Sequence, residues 1–156
     1  MGVKSKLGKI YATAAVKKIK KWAERPIETQ QKVFRELIEK ASATAFGKDH
    51  NFSSITTYED FKKAVPIRDY EDLKPYIDKV RKGEENILWK GKPIYFCKTS
   101  GTTSGTKYIP ISKESISNHI DCARNALLCY INESGNTDFI NGKMIFLQGS
   151  PTLNEE

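Results

Sequence analysis

The residues best placed to do chemistry lie in one run, CKTSGTTSGTKYIPIS, from Cys97 to Ser112. It holds Gly101 and Gly105, the hydroxyl residues Thr99, Ser100, Thr102, Thr103 and Ser104, and Lys107, with no acidic side chain. Glycine lets a backbone approach a ligand and turn its N–H groups inward, hydroxyls donate to anionic oxygens, and an ammonium adds a point charge. That chemistry suits a phosphate. Two common phosphate motifs are excluded by spacing. The nucleoside triphosphatase loop needs four residues between its glycines and a lysine directly after the second, whereas three separate Gly101 from Gly105 and Thr106 precedes Lys107. No G-x-G-x-x-G is present, so this segment gives no support to a dinucleotide fold. The plain alternative is a polar hairpin loop, for which Ser, Thr and Gly are ordinary residues.

Thr99-Ser100-Gly101-Thr102-Thr103-Ser104-Gly105-Thr106-Lys107 resembles the Ser/Thr/Gly-rich ATP loop of the adenylate-forming superfamily. The closer resemblance is to the auxin-responsive promoter family of acyl-acid amido synthetases, particularly its bacterial members. It extends through YIPIS after the loop, TAFGKDHNF (Thr44 to Phe52), TYEDFKKAVPIRDYEDLKPYI (Thr57 to Ile77) and GKMIFLQGSP (Gly142 to Pro151). Plant members usually have one more residue between the second glycine and the lysine. The resemblance implies activation of a carboxylic acid with ATP and Mg2+, giving an acyl-adenylate and pyrophosphate, then transfer of the acyl group to an amine, such as that of an amino acid. Thr99 to Gly105 would cradle the triphosphate and Lys107 would neutralise it. The implied partners are small molecules, with no nucleic acid and no stable membrane insertion.

A loop of this kind must be held by strands and helices. Ile94, Tyr95 and Phe96 lead in and Tyr108 to Ile111 lead out, so two strands are expected at its stems. The implied fold class is α/β: an N-terminal helical region, then part of a mixed β-sheet carrying the ATP loop, as an incomplete large domain. Three segments are read within it: a basic amphipathic helix over 1–25, a helical region over 26–83, and strands, loop and helix over 84–156. Members of the resembling family run to several hundred residues, so 156 residues read as an N-terminal fragment, inactive alone.

The formal charge of +7 belongs to one segment. Lys4, Lys6, Lys9, Lys17, Lys18, Lys20, Lys21 and Arg25 face Glu24 alone, whereas 26–156 balances 18 basic against 18 acidic side chains. Leu7, Ile10, Tyr11 and Ala14 follow helical spacing, and such a basic amphipathic helix can lie on an anionic membrane or nucleic acid. The ordinary expectation is that this apolar face packs on its own domain while the lysines are solvated. Tyr11 to Val16 is too short and alanine-rich for a signal peptide core, and nothing approaches a membrane span. Cys97, Cys122 and Cys129 form no C-x-x-C pair and read as reduced thiols in a cytoplasm.

Pro26 and Thr29 open a second helix expected to run to Gly47 as its C-terminal cap, with Val33, Phe34, Leu37, Ile38, Ala41 and Ala45 on one face. Thr57 with Asp60, and Asp69 with Asp72, each read as a capped helix start, with Pro66 between the helices. Pro75 should start or kink the last turn of the second, which Gly83 ends. Asp69, Glu71, Asp72 and Asp78 alternate with Arg68, Lys74, Lys79, Arg81 and Lys82, a solvated surface rather than a metal site.

A long helix is expected over 113–132, capped by Ser112 and lined by Ile116, Ile120, Ala123, Leu127, Tyr130 and Ile131. Cys122 and Cys129 on it read as small buried residues. His50 and His119 lack partners for catalysis. A last strand from Lys143 to Gln148 ends at Gly149 and Ser150, which a structural turn explains. The competing function is a non-catalytic helical adaptor that docks an acidic surface through 1–25.

Overall fold

The computed structural model describes residues 2–99, 105–143 and 145. The described chain is mostly helical, with one small antiparallel sheet. It divides into two compact units, Met1–Lys21 with Cys122–Glu156, and Trp22–Asp121.

The unit Trp22–Asp121 begins with α2 (Pro26–Ala41), following α1 (Val3–Ala23), and Pro26 sits at the first helical position. Helix α2 stops at Ala41 instead of reaching Gly47. The cause is local: Ser42 Oγ donates to the Glu39 carbonyl at 2.7 Å, and Thr44 Oγ1 donates to the Ala41 carbonyl at 2.7 Å. These hydroxyls take up acceptors at the end of the helix, the competition that keeps Ser and Thr out of helix interiors. Thr44, almost fully buried, then caps the short α3 (Ala45–Asp49) by accepting from the Gly47 N–H at 3.0 Å. Gly47 lies inside α3, where a Cβ would stand 2.1 Å from the Ala41 carbonyl oxygen. It permits a close approach between helices.

A 3-10 turn over Phe52–Ser54 follows, then α4 (Tyr58–Ala64) and α5 (Tyr70–Arg81). Both helices open with the expected capping boxes, Thr57/Asp60 and Asp69/Asp72. Helix α5 runs through Pro75 to its end. Gly83, at φ +88°, turns the chain out, with the Glu84 N–H bonded to the Lys79 carbonyl and the Gly83 N–H to the Val80 carbonyl. The core of this unit joins Ile38 and Ala41 to Phe52 and Ile55, with Phe34, Phe46, Phe61 and Trp89 packed on it. Edge-to-face ring pairs at 5.9 Å, Phe34 with Phe61 and Phe46 with Phe52, give it defined geometry.

Strands β1 (Tyr95–Lys98) and β2 (Tyr108–Ile111) pair antiparallel, in the register Tyr95 to Ile111, Phe96 to Pro110, Cys97 to Ile109 and Lys98 to Tyr108. The expected stems are thus present. Among the described residues the sheet is this antiparallel pair, not the mixed sheet expected, and most of Lys143 to Gln148, with Gly149 and Ser150, lies outside the described residues.

Helix α6 (Lys113–Ser134) begins as expected at Ser112: Ser112 Oγ accepts from the Ser115 N–H, and Ser115 Oγ from the Ser112 N–H, each at 3.0 Å. In the unit Met1–Lys21 with Cys122–Glu156, Ala12 is buried against Leu128 and Ile131, with Ala15, Phe139 and Ile140 packed around them. Ser5 hydrogen-bonds Thr137. The expected packing faces are corrected here. Leu7, Ile10 and Tyr11 on α1, and Ile120, Leu127 and Tyr130 on α6, are exposed, while Ile131 of the expected α6 face is buried as expected. The small residues Gly8, Ala12 and Ala15 of α1 instead form the seat for the larger Leu128, Ile131 and Ile140. Small side chains permit close approach, so that face packs. Cys122 and Cys129 lie off the Leu128/Ile131 face and are exposed rather than buried, as is Cys97.

Candidate functional site

The loop's two ends are pinned to each other. The Thr99 N–H donates to the Lys107 carbonyl at 3.0 Å, and the Lys107 N–H donates back to Thr99 Oγ1 at 3.2 Å. This pair closes the mouth of the segment in between, of which Ser100, Gly101, Thr102, Thr103 and Ser104 lie outside the described residues. Gly105, at φ +79°, adopts a left-handed conformation that favours glycine.

Beyond this bonded pair, antiparallel alternation turns the Tyr108 N–H out of the ladder. The hydroxyl of Tyr70, at the start of α5, accepts it at 2.9 Å. Pro110, two residues on, occupies the same outward position and has no N–H to satisfy. The ring of Tyr70 also faces Lys107, whose Nζ stands 5.7 Å from its centroid, and the Arg81 guanidinium covers the Tyr108 ring at 4.1 Å. Helix α5 therefore clamps the outgoing stem at two points. Sequence reasoning assigned neither Tyr70 nor Arg81 to the site. Their spacing of eleven residues, three helical turns, places them on one side of α5 and was the available signal.

The remaining polar candidates take structural roles. Glu71 pairs with Lys74 at 3.4 Å and Asp78 with Arg81 at 3.5 Å, both exposed, as a solvated surface requires. His50 is buried, with Nδ1 2.8 Å from the Phe46 carbonyl and its ring stacked on Phe46. His119 is exposed on α6. Asp60 accepts from the Thr57 hydroxyl at 2.8 Å and the Thr57 N–H at 2.9 Å, and from the same two groups of Thr56. These bonds, the Thr57 hydroxyl's foremost, lower its pKa to about 2. Among the described residues no group of three or more His, Cys, Asp or Glu side chains is arranged to hold a metal ion.

A groove of about 740 Å³ runs between α2, the 87–93 segment and the start of α6, walled by Val33, Leu37, Trp89 and Pro110. Its polar groups engage one another: Glu114 accepts from Trp89 Nε1 at 3.2 Å and pairs with Lys40 at 3.7 Å.

A family profile described as "GH3 family N-terminal domain" matches residues 15–152, most of the chain. The chain belongs to the GH3 family. Several named amido synthetases are similar to it. One is an indole-3-acetic acid-amido synthetase of Arabidopsis thaliana, GH3.2, 32% identical over 104 residues, which are 65% of this chain and 19% of the relative. Another is a jasmonoyl–L-amino acid synthetase of Nicotiana attenuata, JAR4, 26% identical over 124 residues, 78% of this chain and 21% of the relative. A third, the Arabidopsis indole-3-acetic acid-amido synthetase GH3.15, is 41% identical over 64 residues, 40% of this chain and 11% of the relative. This GH3 chain spans about a fifth or less of the length of these relatives.

Proposed function

We infer that the Thr99–Lys107 loop holds the triphosphate of ATP in an enzyme that joins a carboxylic acid to an amine. The observation that carries this reading is the mouth closed by Thr99 and Lys107 around a Ser/Thr/Gly run, in a GH3 chain. The names of the relatives support the class, since they are amido synthetases acting on indole-3-acetic acid or forming jasmonoyl conjugates with amino acids. In the reaction proposed, a carboxylate oxygen displaces pyrophosphate from the α-phosphorus of ATP, and an amine nitrogen then displaces AMP from the acyl carbon.

The chain's own residues supply electrostatic preorganisation at the leaving pyrophosphate. Thr99, Ser100, Gly101, Thr102, Thr103, Ser104 and Gly105 are assigned the phosphate contacts, and Lys107 the neutralising cation. Tyr70 and Arg81 keep the exit stem in register, so that Lys107 meets the charge without a search through rotamers. Mg2+ bound with ATP would add to the neutralisation of the polyphosphate, and the described stem would meet the nucleotide with the hydroxyl of Thr99 and the ammonium of Lys107. The short register from Gly105 to Lys107 is the basis for a bacterial-type assignment, and a cytoplasmic setting suits reduced thiols and a supply of ATP. Among the described residues no helix is long and apolar enough to cross a membrane.

Acid-dependent ATP–pyrophosphate exchange tests the assignment in an enzyme that carries this chain at the length of its relatives. Thr102→Ala and Lys107→Ala are each expected to slow exchange with an unchanged thermal midpoint. A lost bond to developing phosphate charge costs about 1.5–3 kcal/mol, roughly ten- to a hundredfold in rate. Wild-type exchange in a folded Thr102→Ala protein removes the phosphate-cradle assignment.

A further inference from the structure

Helix α1 has two unlike faces. The face bearing Ser5, Ala12 and Ala15 is occupied within its own unit. Val3, Leu7, Ile10, Tyr11 and Ala14 form a second stripe at helical spacing, and its large members stay in solvent: Val3 is 75% exposed, Leu7 61%, Ile10 68% and Tyr11 51%. Leaving so many large apolar side chains together in water is unfavourable unless the stripe meets a partner. The charge around it selects the partner. The helix carries seven lysines and no acidic residue, with Lys4 and Lys6 beside the stripe and Lys17, Lys18 and Lys21 continuing it through the last turns. The whole excess charge of the chain resides in residues 1–25. The stripe precedes residue 15, where the match to the GH3 family profile begins.

We propose that α1 is a reversible anchor to an anionic lipid surface, its Val3/Leu7/Ile10/Tyr11 stripe entering the headgroup region and its lysines pairing with lipid phosphates. Aliphatic side chains among lysines gain from a surface that is apolar beneath and anionic on top. A nucleic acid offers the phosphates without the apolar layer, so Leu7 and Ile10 would gain nothing there. No insertion across the bilayer is involved.

The test is co-sedimentation of the full 156-residue chain with vesicles. The vesicles contain roughly 30% phosphatidylglycerol in phosphatidylcholine, with pure phosphatidylcholine and a short duplex DNA as controls. The expected result is binding to the anionic vesicles that falls as salt rises from about 0.05 to 0.5 M, and little binding to phosphatidylcholine alone. Leu7→Ser with Ile10→Ser should weaken partitioning about tenfold or more, because both side chains leave the apolar layer. Both positions are exposed, so the circular dichroism of the variant should match wild type. Lys17→Glu with Lys18→Glu is the second variant, and should weaken binding at low salt with the stripe intact. The proposal is overturned if wild type ignores anionic vesicles, if the Leu7/Ile10 variant binds as well as wild type, or if duplex DNA is bound more tightly than the vesicles.

Discussion

Tyr70 ties α5 to the outgoing stem: its hydroxyl takes the Tyr108 N–H, its ring faces Lys107, and Arg81 on the same helix covers the Tyr108 ring. Tyr70→Phe removes the acceptor and keeps the ring, which separates hydrogen bonding from stacking. A typical hydrogen bond is worth about 0.5–1.5 kcal/mol net, so its loss is expected to quicken amide exchange at Tyr108 roughly two- to tenfold. Unchanged exchange at Tyr108 would show that the hydroxyl does not hold the stem. Asp60 permits a second prediction at this scale. Its folded pKa, about 2, lies below the ordinary 3.8, so the stabilisation from its bonds is complete above about 3.8 and is lost as pH falls through 2. A carbon-detected titration should place the Asp60 midpoint near 2 in wild type and move it toward the ordinary value in Thr57→Val, which removes the foremost of those bonds.

Among the elements, the junction of α2 and α3 is the most constrained. A methyl group at Gly47 would meet the Ala41 carbonyl, which is backbone and cannot swing aside. Gly47→Ala is therefore expected to destabilise the unit Trp22–Asp121 by about 1–3 kcal/mol, read as a lower urea midpoint at unchanged slope. An unaltered midpoint would mean that the two helix ends separate freely. This junction also shows where the sequence was opaque. The capping boxes of α4 and α5 and the Ser112 cap of α6 were legible because each depends on side chains within three residues of one another, and the hairpin stems because each is a short apolar run flanking the loop. The stop at Ala41 depends on Ser42 and Thr44 drawing hydroxyl bonds back onto α2, whereas the apolar period continues to Ala45 and suggested one helix. The packing faces of α1 and α6 were misread for a different reason. Each helix has two usable stripes, and the choice between them was made by the fit of small α1 residues to Leu128 and Ile131, which no period within one helix reveals. Within the candidate site, glycines, hydroxyls and Lys107 could be read directly, but the Tyr70 contact spans 38 residues and could not.

At the scale of the molecule, the proposed phosphate loop is represented among the described residues by its stem and the α5 contacts that hold it. The segment shared with amido synthetases is about a fifth of those relatives. Binding a triphosphate at one loop lowers the energy of bound substrate and of transition state together, and so accelerates little. Acceleration requires that the acid oxygen and the α-phosphorus be held within reach and in line. Nothing in the stem geometry of Thr99, Lys107, Tyr70 and Arg81 orients an acid against a phosphorus atom. We therefore predict that the 156-residue chain alone gives no acid-dependent ATP–pyrophosphate exchange, although its loop retains affinity for the polyphosphate. Two measurements on the same protein separate these statements: exchange of labelled pyrophosphate into ATP, and calorimetric titration with inorganic tripolyphosphate for wild type and Lys107→Ala. The expected outcome is a null exchange with weak, salt-sensitive binding that declines in the variant. Exchange above background would show that this chain already orients both substrates, and identical binding by wild type and Lys107→Ala would take the cation at the loop's exit out of the phosphate site.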